Sequence, residues 1–419
     1  MTHASDNDYR ARLVDLLLDR FGDQLPVFLI VGPRAAGKTY TASRRAATVI
    51  RLDSPAQAAA FEADPDAALR NLPEPVLLDE WQVVPGVLGA VKRTVDSPGR
   101  SGARFFITGS VRSDLDEELW PGTGRLLRIS LYGMTLREQL GRTGQRSIFD
   151  VLVDGVDLSP AEDSPDLRGY VDLARRGGFP VPALQLDDSA ARDAWLESYI
   201  EQLLTHDVAQ IDERDPVRLR RFFDACAINS AGTVDVTTLA TAAGINHRTA
   251  DAYTSLLRDL LVLDEVPAYF SNRVKRLVKR RKLYVVDPAL ITAALRMDSS
   301  GVLLDGALLG RVVDTFVAAQ LRAETAVANS RPRLYHLRQE GGRREVDLVA
   351  ELAGGRIIGI EVKASSAPSK QDARHLLWLR DELGNDFVRG VVFHTGPATF
   401  ELDDRIIAAP ISSIWARRA

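Results

Sequence analysis

The 419-residue chain has one cysteine, Cys226, so it forms no intramolecular disulfide and no cysteine-built metal cluster. That scarcity is what a reducing cytoplasm permits. It has no apolar run of bilayer-spanning length. Its first eight residues, Met1 to Asp8, are polar, without the basic segment and apolar stretch of a secretory leader. A cytoplasmic location is expected. Neither sign of charge dominates: 53 Lys and Arg stand against 57 Asp and Glu, a net charge of −4. A uniformly basic nucleic-acid coat is thereby excluded, though a local basic patch is not. What remains is a globular composition, 45% hydrophobic and 26% charged, and a length calling for two to four domains.

The most informative stretch is Gly32-Pro33-Arg34-Ala35-Ala36-Gly37-Lys38-Thr39, which satisfies the phosphate-loop pattern G-x-x-x-x-G-K-[ST] at every fixed position. The apolar run Val27–Val31 leads in and reads as a buried strand; Thr39 to Ala47 leads out and reads as a helix. Strand, glycine loop and helix start is the order that triphosphate binding needs, because loop amides and the helix N-terminus both favour anions. Residues 32–39 with Tyr40 are the expected nucleotide cradle. Lys38 would reach the β- and γ-phosphates and Thr39 would hold Mg²⁺.

A second strand, Pro75–Leu78, runs into Asp79-Glu80. Behind a phosphate loop this reads as the Walker B pair, with Asp79 on the Mg²⁺ and Glu80 acting on the attacking water. A third strand, Ala103–Ile107, ends in Thr108-Gly109-Ser110, where Thr108 or Ser110 would sense the γ-phosphate or simply cap a turn. Arg125, after Thr123-Gly124, is a candidate for a phosphate of its own subunit, for a finger reaching into a neighbour, or for a surface ion pair.

Further along, Asp150 to Asp166 reads as a surface connection rich in Asp, Pro and Ser. Leu167 to Asp224 reads as helical, interrupted at Gly177-Gly178-Phe179-Pro180, with an apolar face from Trp195 to Leu204 ending at His206-Asp207. Asp235 to Gly244 and then Ile245-Asn246-His247-Arg248-Thr249 give helix, glycine turn and Asn-capped second helix, the helix-turn-helix pattern. Leu261–Tyr269 suits the strands of a wing. His247, Arg248 and Thr249 would open the recognition helix; protein packing is the other use of such a hairpin. Seven of the ten residues from Arg273 to Lys282 are basic and none is acidic. Arg273, Lys275, Arg276, Lys279 and Arg280 are thus expected to meet DNA phosphates, or an acidic surface of another subunit.

In the last third, Gly310–Ala323 reads as a helix carrying Asp314, and Leu334–Leu337, Glu345–Ala350 and Arg356–Lys363 as strands. Strand alternation puts Glu361 and Lys363 on one face, with Asp347 on the preceding strand.

Gly32-Pro33-Arg34…Gly37-Lys38-Thr39, Leu78-Asp79-Glu80-Trp81-Gln82-Val83-Val84-Pro85, Ile107-Thr108-Gly109-Ser110 and Gly124-Arg125 resemble the archaeal-type AAA+ ATPases that carry a C-terminal domain of unknown function. Gly-Gly-Phe-Pro and the Trp195 to Asp207 helix resemble the same family. Ala35 stands where that family usually has Gln. Asp347 followed by Glu361-x-Lys363 resembles the PD-(D/E)XK nuclease core, and Asp314 stands where a Glu is usual. The resemblance implies Asp347 and Glu361 sharing a divalent metal beside Lys363, with the domain either cleaving DNA or serving as a grip on a retained fold.

The expected architecture is α/β: a P-loop AAA+ domain over 1–150, a helical connector over 151–228, a winged helix with its basic segment over 229–292, and a nuclease-like α/β domain over 293–419. The expected activity is ATP hydrolysis with Mg²⁺, remodelling or translocating branched or broken DNA, in an oligomer that in such superfamilies is often a hexameric ring. The alternatives are an ATP-dependent switch binding a protein partner in defence or toxin control, and an ATP-gated, metal-dependent nuclease.

Overall fold

A computed structural model describes residues 9–97, 101–109, 124–207, 215–270, 280–339 and 342–417. They fall into two compact units, one comprising residues up to Gly133 with Leu257–Val262, the other comprising Met134–Leu256 with Leu263–Ala419.

The first unit is built on a five-stranded parallel sheet in the order β2-β3-β4-β1-β5. Its strands are β1 (Val27–Val31), β2 (Thr48–Arg51), β3 (Val76–Asp79), β4 (Phe105–Gly109) and β5 (Leu126–Ser130). Strands β1, β3 and β4 are apolar on both faces and wholly buried, as strands covered on two sides must be. Edge strand β2 alternates half-buried with exposed. One face packs Val27, Leu29, Leu78 and Ile107 with Trp81 and Val91; the other packs Phe28, Ile30, Leu77 and Phe106 with Val14 and Leu18. In register, Thr108 lies beside Ile30 on one side and Asp79 on the other, so the ends of β1, β3 and β4 meet at one edge. Parallel sheets place ligands at that carboxyl edge.

The helix after the glycine loop is shorter than the sequence pattern predicts, Lys38–Ser43 rather than to Ala47. The N–H groups of Ala47 and Thr48 already bond Pro75 O, pulling the chain beside β3 before another turn can form.

The second unit holds a mixed six-stranded sheet in the order β12-β13-β11-β10-β9-β8 and a two-stranded ribbon of β6 (Leu263–Val266) and β7 (Lys282–Val285). Strands β8 (Arg333–Gln339), β9 (Arg344–Glu351) and β10 (Ile357–Val362) form an antiparallel meander. Helix Arg374–Leu383 then crosses over to β11 (Phe387–His394), parallel to β10, with β12 (Phe400–Asp403) and β13 (Ile406–Pro410) completing the sheet. Helices Leu167–Arg176, Ser189–Gln202 and Pro216–Ile228 fill the predicted helical stretch, and Gly177 breaks it at φ +69°. Asp235 caps helix Val236–Ala243, Gly244 ends it at φ +68°, and Asn246 Oδ1 accepts the Thr249 N–H at the start of helix His247–Asp259.

Three expectations need correction. Leu261–Tyr269 supplies only one ribbon strand; the other is Lys282–Val285, and Leu261 belongs to the first unit's core. Asp150–Asp166 is a surface connection only from Asp154 on, where the chain is largely exposed and has no helix or strand. Helix Ile148–Val153 carries a buried Asp150 that accepts the N–H groups of Asn329 and Ser330, both at 2.9 Å, and Ala161 donates its N–H to Ser412. For the same reason the first unit closes at Gly133, short of residue 150. Arg137 is buried, donates to both oxygens of Glu324 at 2.7 and 2.8 Å, and also bonds the carbonyls of Arg142, Thr143 and Gln145.

That ion pair is fully withdrawn from water, so removing one partner strands a charge. Arg137→Met is expected to destabilise the second unit by about 3–5 kcal/mol, and Arg137→Met with Glu324→Leu by less than the single change. Urea unfolding of wild type and the two variants checks this; a double variant destabilised as much as Arg137→Met, or more, refutes it.

Candidate nucleotide site and acidic cluster

The glycine loop sits between β1 and helix Lys38–Ser43. Gly32 is required by space: a Cβ there would lie 1.9 Å from Leu131 O. Gly37 is required by its backbone, at φ +94°. Ala35 takes the left-handed conformation too, at φ +58°, a cost of about 1–2 kcal/mol for an L-residue. Lys38 is buried and its Nζ donates to Gly32 O at 3.0 Å and Pro33 O at 2.9 Å. Burial lowers the lysine to about 8, against the pull of Glu80 and Asp79.

Asp79 closes β3 and is buried. Its Oδ1 accepts two hydroxyls, Thr39 Oγ1 at 2.8 Å and Thr108 Oγ1 at 2.5 Å. Burial pushes the carboxyl up, opposed by both hydroxyl bonds. Thr108 is part of β4 and completely buried, so it touches Asp79 directly. Ser110 lies outside the described residues.

Glu80 is half-buried in the left-handed region, φ +54° and ψ +50°, at the mouth of a 3-10 turn, Trp81–Val83. Its Oε2 accepts Gln82 Nε2 at 2.5 Å. Gln82 Oε1 and Trp81 Nε1 are buried without hydrogen-bond partners among the described residues. Both lie within 2.8 Å of where a Cβ on Gly109 would stand.

Sequence reasoning missed the strap that braces the loop. Arg12, buried at the head of helix Leu13–Phe21, donates to Ala36 O at 2.8 Å and Tyr132 O at 2.7 Å. Tyr9 donates to Asp15 Oδ2 at 2.7 Å, packs at 5.3 Å from the ring of Tyr40, and lies under the guanidinium of Arg44. No local motif marks these residues; an Arg before an apolar helix is common. Tyr40 is exposed beside Thr39, as are Arg34 and Ala35 on the loop. Arg125 ion-pairs with Asp96 on a half-exposed surface.

Thr39 Oγ1 and Asp79 offer hard oxygen donors 2.8 Å apart at the start of a helix, a donor set that suits Mg²⁺.

In the second unit the structure brings Asp314, Asp347, Glu361 and Lys363 together, along with a residue the spacing did not single out. Lys282, first in β7 and last in the basic run, is buried rather than solvated. Its Nζ donates to Asp314 Oδ2 at 2.7 Å and to Asp347 Oδ1 and O, both at 3.3 Å. Tyr284 OH donates to Asp314 Oδ1 at 3.0 Å, and Val362 N–H to Asp347 Oδ2 at 3.0 Å. Lys363 Nζ donates to Glu361 Oε2 at 2.8 Å, while the buried Glu361 Oε1 accepts no donor among the described residues. Burial raises Glu361 well above the usual carboxylate range and Asp314 to about 6; Asp347 is lowered, the ammonium groups of Lys282 and Lys363 outweighing its burial.

Of the residues expected to meet DNA, His247 and Arg248 are exposed at the start of their helix and Thr249 is half-buried. His247 Nδ1 lies 2.9 Å from Asp251, and Arg280 ion-pairs with Asp235 at 2.6 Å. Arg273, Lys275, Arg276 and Lys279 lie outside the described residues. Among the described residues no helix is long and apolar enough to cross a membrane.

Residues 24–140 match the family described as AAA domain, residues 167–301 a Domain of unknown function (DUF8612), and residues 309–414 a Domain of unknown function (DUF4143). Over 401 residues the chain is 30% identical to the Uncharacterized protein Rv2008c of Mycobacterium tuberculosis (strain ATCC 25618 / H37Rv), covering 93% of this chain and 81% of that protein; the same figures hold for the Uncharacterized protein Mb2031c of Mycobacterium bovis. Among solved structures, the Bacillus subtilis DNA clamp loader delta protein (YqeN) aligns at 12% identity over 72% of this chain and 99% of its own, but a TM-score of 0.22 carries no argument. Identity at that level along most of the mycobacterial proteins places this chain in their family, with an AAA domain, a DUF8612 domain and a C-terminal DUF4143 domain as its recognised parts.

Proposed function

We propose that the chain hydrolyses ATP in its first unit and that the cycle acts on DNA held by its second. The observation that carries the ATPase reading is the meeting of Thr39 and Thr108 on Asp79 Oδ1, beside a buried Lys38 at the carboxyl edge of a parallel sheet. Membership of an AAA family points the same way.

The triphosphate would lie over residues 32–39, and Lys38 would exchange the carbonyls of Gly32 and Pro33 for phosphate oxygens. Mg²⁺, held by Thr39 and Asp79, would neutralise developing charge on the phosphates. Glu80 would orient and deprotonate the attacking water, with Gln82 fixing its carboxylate. Thr108 would hold Asp79 in its rotamer.

The DNA reading is supported by the capped helix pair 236–259, the β6–β7 ribbon behind it, the exposed His247 and Arg248, and the basic run 273–281. We read this region as a winged helix that meets phosphates. Branched or broken duplexes are the favoured substrate, by analogy with folds resembling the last third of the chain. Assembly of several copies would let Arg125 leave Asp96 for a neighbour's nucleotide.

Three outcomes test the reading. Lys38→Ala is expected to abolish ATP binding, and Glu80→Gln to keep binding but lower turnover at least about 100-fold; calorimetry and phosphate release measure the two, and a Glu80→Gln protein with unchanged turnover removes Glu80 from the chemistry. Binding is also expected to depend on pH. Without nucleotide, Lys38 at about 8 sheds its proton above that pH, and bound phosphates would restore it, so binding takes up a proton and weakens as pH rises. ATP affinity should fall about tenfold from pH 7 to pH 9. Calorimetry at pH 9 in buffers of different ionisation enthalpy should find close to one proton taken up, and none at either pH counts against the buried lysine. Finally, forked or four-way DNA should raise turnover several-fold, with binding that collapses as salt rises; Arg248→Ala with Arg280→Ala should abolish the DNA-stimulated part. DNA that neither binds nor stimulates refutes the DNA reading and leaves the ATPase reading standing.

A further inference from the structure

The resemblance to a nuclease core implies a divalent ion among Asp314, Asp347 and Glu361, and the residues present do not fit one. Among the described residues no group of three or more acid, histidine or cysteine side chains is arranged to hold a metal. The reason is visible atom by atom. Three carboxylates have six oxygens, and five already accept a protein donor: both of Asp314 (Lys282 and Tyr284), both of Asp347 (Lys282 and the Val362 N–H), and Oε2 of Glu361 (Lys363). Only Glu361 Oε1 accepts no donor among the described residues, so a divalent ion would have to share or displace the donors that hold the other five oxygens. An ammonium has three donors and no acceptor. Those of Lys282 go to Asp314 Oδ2, Asp347 Oδ1 and Asp347 O.

Charge gives the same answer. With all three carboxyls ionised, as metal binding requires, and the expected Lys363 alone, the set carries a net −2, which a divalent ion would cancel. Lys282 brings a second positive charge into direct contact with two of them, and a divalent ion added to that set would face a buried ammonium with no water to screen it.

We infer that the acidic cluster is a socket for an internal cation rather than a metal centre: the Lys282 ammonium stands where the divalent ion was expected and anchors β7 to helix Gly306–Val327 and β9. The basic run ends at Lys282, so the socket fixes the strand into which that run leads. Tyr284, two residues on and on the same face of β7, makes a second bond to Asp314. The centre has the residues of a nuclease and works as a fastener.

The test uses the full chain without nucleotide, so its outcome is independent of the ATPase reading. Mn²⁺ is titrated in and the free ion followed by electron paramagnetic resonance, with Glu361→Gln as the control that identifies binding at this cluster. Wild type is expected to show no Mn²⁺ site that Glu361→Gln removes. Lys282→Met, which removes the charge and keeps the length, is expected to gain one site per chain, at least tenfold tighter than any wild-type site, lost again in Lys282→Met with Glu361→Gln; Mn²⁺ should also raise its Tm. A wild-type site abolished by Glu361→Gln overturns the inference, as does Mn²⁺-dependent DNA cutting by wild type that Lys363→Ala abolishes. A Lys282→Met chain that folds and gains no site overturns it too. Should Lys282→Met fail to fold, the wild-type titration against Glu361→Gln decides alone.

Discussion

The convergence of two hydroxyls on one oxygen of Asp79 is the contact on which the nucleotide site depends. Thr39 comes from the helix after the glycine loop, Thr108 from β4, and Asp79 from β3. These elements are far apart in sequence and meet only because β4 is inserted between β1 and β3 in the sheet. A buried carboxylate without donors is costly, so the two bonds fix Asp79 electrically as well as geometrically. They bring a metal-binding type of carboxylate and a hydroxyl to the point where the loop begins its helix, beside a lysine whose charge is itself poorly solvated. Both groups are held in a state that an incoming polyanion and its cation would relieve.

The second unit shows the opposite use of buried charge. Lys282, Asp314, Asp347, Glu361 and Lys363 satisfy one another almost completely. A buried ion-pair network of this type is a weak source of net stability, because desolvation offsets most of the Coulomb gain, but removing one member is expensive. Its contribution is to specify register: β7 can be placed in only one way if its first residue must reach two carboxylates on other elements. Arg137 and Glu324 do the same for the segment after Gly133.

What was legible in the sequence follows from this. The loop, the strand that ends in Asp79 and the strand that carries Thr108 are local patterns, an apolar run with a polar end, and each was readable without knowing its neighbours. The capped helix pair was readable for the same reason, since Asp235, Gly244 and Asn246 act within a few residues of themselves. Lys282 was not. In sequence it is the last of seven basic residues in a run read as meeting phosphates or an acidic surface; only the pairing of Val266 with Lys282 turns it inward. Arg12 and Tyr9 were missed on similar grounds, because each acts through partners that the fold supplies. The extent of the first unit was misjudged because Arg137 and Asp150 find their partners near residues 324–330.

Glu80 joins the two themes. A glutamate in the left-handed region costs about 1–2 kcal/mol. The turn that follows holds it there: Trp81 enters the apolar core, and Gln82 bends back to bond the carboxylate. Gly109 makes room for both, since any side chain on it would collide with the indole nitrogen and the amide oxygen. Those two polar atoms are left unpaired, a further cost that a structure optimised for stability alone would have removed. Backbone strain, two orphaned polar atoms and a glycine forced by crowding all sit within three residues of the proposed water-activating carboxylate or pack against it. Strain concentrated in this way supports the proposed role of Glu80, because an acidic residue that merely follows a strand needs none of it.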